Sequence, residues 1–358
     1  MKVFHCDSCG NLIFFENVKC LNCGHTLGFL PFPVGKLSAL LPTGDGTWRK
    51  ANPGLTDQFY HQCDNSLKHQ VCNWMIPMTD SNPFCGSCRL NEMIPDLAVS
   101  GNLDRWHKFE IAKRRTLYTI MRLGLPMDEG GNGPALRFKF IADVAGAPPL
   151  RSGHLHGLIT INVAEADDVE RERRRVNLHE PYRTLLGHLR HEVGHYYWDR
   201  LIAGGERLGG FRELFGDETA EYAAALKQHY EQGPPADWQL RQVSAYAGAH
   251  PWEDWAETWA HYFHMIDLIE TAASFGILLK FPRMTGKAEI VEPRKAVAMD
   301  ASFETLLENW FPLTQAVNSL NRSMGLPDAY PFALADKSIE KLRFIHELVQ
   351  STSANRKV

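Results

Sequence analysis

Hydrophobic and polar positions divide the chain into two stretches of different character. Up to about residue 95 the apolar runs are short, such as "NLIFF" and "TLGFL", and Gly, Pro, Asn and Cys separate them. That pattern predicts short strands between tight turns. From Leu103 the apolar spacing becomes helical: "LDRWHKFEIAKRRTLYTIMRLGLP" predicts a helix that stops at Gly124 and Pro126. "ALRFKFIADV" and "GHLHGLITINVAEAD" read as strands, the second on its β-branched residues. "ERERRRV" reads as a solvated helix face or loop. Helices then dominate, over about 185–201, 211–231, 237–248, 251–275, 302–321 and 337–350. The first of these is entered through Pro181, a favourable first-turn residue.

Composition narrows the class. A chain of 358 residues with 44% apolar content can bury a sizeable core. No apolar run approaches the length of about 18 residues that a membrane-spanning helix needs. The start, "MKVFHCDSC", has no apolar signal-peptide core, so a cytoplasmic location is expected. All eight cysteines fall in the first quarter of the chain. In a reducing compartment, clustered thiols are metal ligands more often than disulfides.

Cys6, Cys9, Cys20 and Cys23 form two CxxC knuckles at zinc-ribbon spacing. Each knuckle brings two thiolates to one ion, and two knuckles complete a tetrahedral site. Gly10 and Gly24 follow the knuckles, where the turn favours positive φ. Cys63, Cys72, Cys85 and Cys88 form a second set with one clean knuckle and one open pair. It too reads as a structural zinc site, with His61 or His69 as substitute ligands. Residues 1–90 hold seven Lys/Arg and six Asp/Glu. That near-neutral balance argues against a nucleic-acid surface and leaves a protein partner for the ribbons open.

"LLGHLRHEVGHYYWDRL" contains HExxH. His191 and His195, four apart on a helix, share one face and can reach one metal. Glu192 beside them is placed to act as general base. Gly194 leaves room for a close-packed neighbour. A catalytic zinc needs a third protein ligand and an open position. Asp199, Glu213, Asp217, Glu218, Glu221, Glu253, Asp254 and Glu257 are all downstream candidates. Glu253 and Glu257 share a helix face, so one can ligate while the other orients a histidine. Tyr196, Tyr197, Trp198, Trp252, Trp255 and Trp259 read as packing between the two helices. His154, His156, His250, His261 and His264 receive no role.

"HEVGH" followed by "YAGAHPWEDWAE" resembles the anthrax lethal factor-like branch of the gluzincins. The resemblance implies Glu253 as third ligand, Glu257 as the second glutamate supporting the site, and Tyr246 as a donor to the oxyanion. More widely, "HEVGHYYWDRL", "LFGDE", "HPWEDWAETWAHYFH" and "NRSMGLPDAYPF" resemble a bacterial family of zinc-binding metallopeptidases with an N-terminal zinc ribbon.

The expected architecture is α+β. A two-site zinc-ribbon module over residues 1–95 precedes a mainly helical, zincin-like metallopeptidase domain over 96–358. The expected function is hydrolysis of peptide or protein substrates with one catalytic and two structural zinc ions. Glu218, Glu257 and Asp199 remain alternatives to Glu253 as ligand. Two other readings are carried: an inactive scaffold that binds protein through its ribbons, and a nucleic-acid-associated protease.

Overall fold

The computed structural model of the chain describes residues 2–30, 35–52, 58–128, 133–144, 146, 148, 150–177, 184–281, 289–298 and 300–355. Two compact units form. The first comprises Met1–Arg122, Arg137–Ser152 and Thr160–Asp167; the second comprises Leu123–Leu136, Gly153–Ile159 and Asp168–Val358.

In the first unit, β1 (Phe4–His5) pairs antiparallel with β2 (Leu12–Ile13). An antiparallel meander follows in chain order: β3 (Thr26–Leu30), β4 (Lys36–Pro42), β5 (Trp48–Lys50), β6 (Phe59–Gln62) and β7 (Met75–Pro77). The short helix α1 (Asp64–His69) joins its last two strands. Leu30, Leu40, Tyr60 and Met75 make the core of the meander. Gly28 is required there, because a Cβ would stand 2.5 Å from Met75 Cγ and 2.7 Å from Leu40 Cδ1. β8 (Asn91–Met93) pairs parallel with β9 (Arg137–Ile141).

Helix α2 (Asn102–Arg122) belongs to this unit too. Its Tyr118 ring meets Phe15 at 5.4 Å and Phe29 at 6.1 Å, and Phe29 packs on Trp74 at 4.8 Å. These buried aromatic contacts tie α2 to the cysteine-rich strands.

The second unit is helical apart from short strands. β10 (Gly153–Leu155) belongs to it, and β11 (Leu158–Asn162), whose residues from Thr160 onward belong to the first unit, forms a hairpin with β10. α3 (Asp168–Asn177), α4 (Leu185–Leu201), α5 (Leu208–Phe215), α6 (Tyr222–Gln232) and α7 (Pro251–Ser274) follow. The antiparallel pair β12 (Leu279–Phe281) and β13 (Glu289–Val291) precedes α8 (Phe303–Ser323) and α9 (Asp336–Asn355).

α4 and α7 cross at close range. A Cβ on Gly194 would lie 2.9 Å from Ala256 Cα and 3.1 Å from Trp259 Cβ, so only glycine lets the backbones approach. Trp255 Nε1 donates to Gly194 O at 2.8 Å, and Tyr197 stacks on Trp259 at 4.8 Å.

Several sequence expectations are corrected. The strand read through "GHLHGLITINVAEAD" is two, because His156 and Gly157 both take positive φ, 46° and 80°, and turn the chain. The helix expected over 211–231 breaks into α5 and α6 at Gly216, whose φ is 103°. The helix expected over 237–248 is only two short turns, Trp238–Leu240 and Tyr246–Ala249. Ser244 Oγ accepts from Ala247 N at 3.2 Å and offers the backbone a turn in place of a helix. "ERERRRV" lies within α3. Thr184 caps α4, accepting from Gly187 N at 2.9 Å; Pro181 lies outside the described residues. Among the described residues no helix is long and apolar enough to cross a membrane.

Candidate metal centres and active site

α4 turns His191 and His195 to one side, and α7 presents Glu253 from its first turn. Pro251 starts α7, and His250 caps it by accepting from Trp252 N at Nδ1, 3.0 Å away. The other nitrogen, Nε2, then carries the proton that it donates to Ala220 O at 3.1 Å. His195 Nε2 lies 3.1 Å from His191 Nε2, and Glu253 Oε2 lies 2.9 Å from His191 Nε2 and 3.5 Å from His195 Nε2. A tetrahedral zinc with bonds of about 2.0–2.1 Å holds its ligand atoms roughly 3.3 Å apart. Glu253 Oε2 is buried and, among the described residues, accepts no well-aligned hydrogen bond. The three atoms therefore fit an ion better than they fit one another.

The outer atoms of these side chains are held. His191 Nδ1 donates to Glu257 Oε1 at 2.6 Å, and Glu257 Oε2 accepts from Ser244 Oγ at 2.6 Å. A carboxylate accepts, so Nδ1 of His191 carries a proton, and Nε2 is the nitrogen turned toward Glu253 that an ion would engage. Glu253 Oε1 accepts from Tyr222 Oη at 2.5 Å, leaving Oε2 toward the histidines. The His195 ring lies against Trp252, centroids 3.8 Å apart.

Glu192 is buried beside the cluster, with His188 Nε2 3.1 Å from its Oε1. Burial alone would raise its pKa, but the His188 bond and the charges of His188, His191 and His195 hold it below the usual range. Burial would likewise lower His191, and the carboxylates of Glu253 and Glu257 instead hold it well above normal. Both shifts record a site in which carboxylates and imidazoles compensate each other.

In the first unit the cysteines converge as two sets, Cys6, Cys9, Cys20, Cys23 and Cys63, Cys72, Cys85, Cys88. Cys6 and Cys23 sulfurs are 3.7 Å apart, Cys9 and Cys20 3.7 Å, and Cys72 and Cys85 3.6 Å. Zinc–sulfur bonds of about 2.3 Å in a tetrahedron place sulfurs roughly 3.8 Å apart. Gly10 and Gly24 take φ of 75° and 76° and donate to Cys6 O and Cys20 O, closing the knuckles. In the second set the amides of Trp74, Cys85 and Cys88 each point at a cysteine sulfur at 3.4 Å, which favours thiolate. His61 Nε2 is engaged with Asp80 O at 3.0 Å and His69 packs on Trp106, so neither histidine joins the set.

Residues 102–348 match a family described as "Putative zinc-binding metallo-peptidase", and residues 3–99 match a zinc-ribbon domain. The chain belongs to this metallopeptidase family. Uncharacterized proteins of Mycobacterium bovis and of two strains of Mycobacterium tuberculosis are similar to it. Each is 40% identical over 356 residues, 99% of this chain and 96% of the relative. No solved structure matches.

Within the metallopeptidase match, the structure sorts the candidate ligands. Glu218 is occupied by Arg212 through contacts of 2.6 and 2.9 Å. Asp217 binds its own turn at Thr219, and Glu221 caps α6 by accepting from Ala223 N and Ala224 N. Asp254 pairs with buried Lys341 at 2.6 Å. Asp199 approaches His154 at 3.8 Å and stands outside the cluster of His191, His195 and Glu253. Glu257 reaches the site through His191. Tyr246 is half-buried with its ring 6.0 Å from that of His191.

His188, Tyr222 and Ser244 are the contributors that sequence reasoning missed. His188 was legible in principle, since it precedes Glu192 by one helical turn. Tyr222 was not, because its position depends on the break after α5. The unassigned His261 bonds Tyr330 Oη at 2.5 Å, tying down the "NRSMGLPDAYPF" segment. His264 bonds Arg190, which also pairs with Asp267.

Proposed function

We propose that the chain hydrolyses peptide bonds with a zinc ion held by His191, His195 and Glu253, and that its two cysteine sets hold structural zinc. The observation that carries this reading is the convergence of two Nε2 atoms and one carboxylate oxygen within 4.8 Å, beside the buried carboxylate of Glu192. A glutamate as third ligand is the gluzincin arrangement. Zinc in such a site supplies a Lewis acid that polarises a carbonyl and lowers the pKa of water.

The side chains divide the remaining work. Glu192 takes a proton from the attacking water and returns it to the leaving amine. His188 holds Oε1 of Glu192, so the other oxygen is the one presented to the water. Glu257 and Ser244 fix the His191 ring, and Tyr222 fixes Glu253. Burial, together with the nearby Glu253 carboxylate, pushes the Tyr246 hydroxyl well above its usual pKa, so it stays protonated and can donate to a developing oxyanion.

Elemental analysis of the wild type and of His191→Ala/His195→Ala tests the metal assignment. The expected result is about three zinc ions per chain falling to two. Cleavage of a peptide library by the wild type, abolished in Glu192→Gln with zinc retained, tests the chemistry. Zinc loss from Glu192→Gln would overturn the role given to that residue.

A further inference from the structure

α2 carries charge into the interior of the first unit. Glu110 and Lys113 are fully buried and Arg114 is 3% exposed. Lys113 Nζ donates to Glu110 Oε1 at 2.8 Å and to Asn91 Oδ1 at 2.5 Å. Glu110 Oε1 also accepts from Asn91 Nδ2 at 2.8 Å and Trp106 Nε1 at 3.1 Å. Arg114 Nη1 stands 3.8 Å from Glu110 Oε2 and donates to Val71 O. Within this cluster, one carboxylate faces two cations.

Buried charge is costly unless compensated. The Phe138 and Phe140 rings lie 5.6 and 5.7 Å from Lys113 Nζ, and ring faces offset only part of an ammonium. The second cysteine set is the neighbouring anion. Val71, which Arg114 grips, directly precedes Cys72, and Asn91, which Lys113 grips, lies three residues past Cys88. Four thiolates around a divalent ion leave a formal charge of about minus two, which the spare cation of α2 partly offsets.

We propose that Lys113 and Arg114 are the counter-ions of the Cys63, Cys72, Cys85 and Cys88 metal site, so that this site and α2 form one metal-dependent folding unit. The inference rests on the reading that zinc occupies this set. α2 falls inside the metallopeptidase match and the cysteines inside the zinc-ribbon match. The ribbon is thus completed by a helix outside its own sequence family, and a chain cut near residue 99 lacks the charge that its second site uses.

Zinc release from the full-length protein to the chromogenic chelator 4-(2-pyridylazo)resorcinol tests this. The phase belonging to the second set is the one missing in Cys85→Ser. Lys113→Met keeps the length and apolar stem and removes the charge; it is expected to speed that phase about tenfold and leave the others unchanged. Glu110→Gln leaves the cations unopposed and is expected to slow the same phase. An unchanged phase in Lys113→Met overturns the proposal. If Lys113→Met does not fold, Glu110→Gln decides, and unchanged or faster release overturns it. Equal zinc content in wild type and Cys85→Ser instead overturns the underlying zinc assignment.

Discussion

Glu257 Oε1 lies 2.6 Å from His191 Nδ1, on the side of the imidazole away from Glu253. The contact fixes the ring's tautomer and its rotation about χ2. Metal-ligand histidines are commonly braced in this way, and loss of the brace costs about 10–100-fold in metal affinity. Glu257→Ala is therefore expected to weaken zinc binding at the active site by about that factor. Ser244→Ala, which removes only the outer hydrogen bond, should weaken it less. Competition with a chelator of known affinity measures both, and equal loss in the two variants would contradict the ordering.

Tyr222 and Tyr246 separate by readout. Tyr222 holds the outer oxygen of Glu253, so Tyr222→Phe should lower zinc affinity by about tenfold. Tyr246 stands beside the cluster, its ring 6.0 Å from that of His191, so Tyr246→Phe should lower kcat with zinc content unchanged. Removing one oxyanion donor typically costs about 100–1,000-fold in kcat. Zinc analysis beside cleavage of the best library peptide checks the pair; the reverse pattern would exchange their roles.

Gly194→Ala should destabilise the second unit by about 1–3 kcal/mol, because the added carbon meets backbone rather than a flexible side-chain end. Zinc affinity should fall with it, since the same crossing sets the distance from His195 to Glu253. Thermal unfolding with and without excess zinc reads both effects. An unchanged midpoint would mean that the helices separate at little cost.

His261 supplies a pH dependence. Burial pushes its pKa down to about 4 from 6.5, against the opposing charge of Glu257. Between those values the unfolded chain binds a proton that the folded chain does not. Stability therefore rises with pH across this window and is lost as pH falls from about 6.5 toward 4, by roughly 3 kcal/mol at most. Urea unfolding at pH 7 and pH 5 should show the loss in the wild type and a smaller one in His261→Gln. Equal losses would assign the pH dependence to other groups.

The parts legible in sequence were those with a local period. HExxH placed His191 and His195 on one helix face because four residues make one turn, and each CxxC knuckle of the first cysteine set announced its own turn through Gly10 or Gly24. Glu253 was legible through a short motif because it shares α7 with Glu257. The breaks were not. Gly216 sits in a stretch whose residues otherwise favour helix, and the close approach of Pro251, whose Cγ is 3.3 Å from where a Cβ would be, comes from far along the chain. Tyr222 depended on that break, so its contact with Glu253 could not be read from spacing. The burial of Lys113 was equally hidden, since the helical spacing of "LDRWHKFEIAKRRTLYTIMRLGLP" gives no sign of Asn91, Phe138 and Phe140, which meet its ammonium from other strands.

The glycine-mediated crossing of α4 and α7 has a calorimetric consequence. The metal-facing atoms of His191, His195 and Glu253 are positioned by a packed helix pair, so binding an ion there should expose or bury little apolar surface. Its association should show a small heat-capacity change. The cysteine sets sit in short knuckles, where four converging thiolates would repel one another without an ion. Their association should carry the large negative heat-capacity change of coupled folding, so titrations of the metal-free chain at several temperatures should resolve the two classes of site.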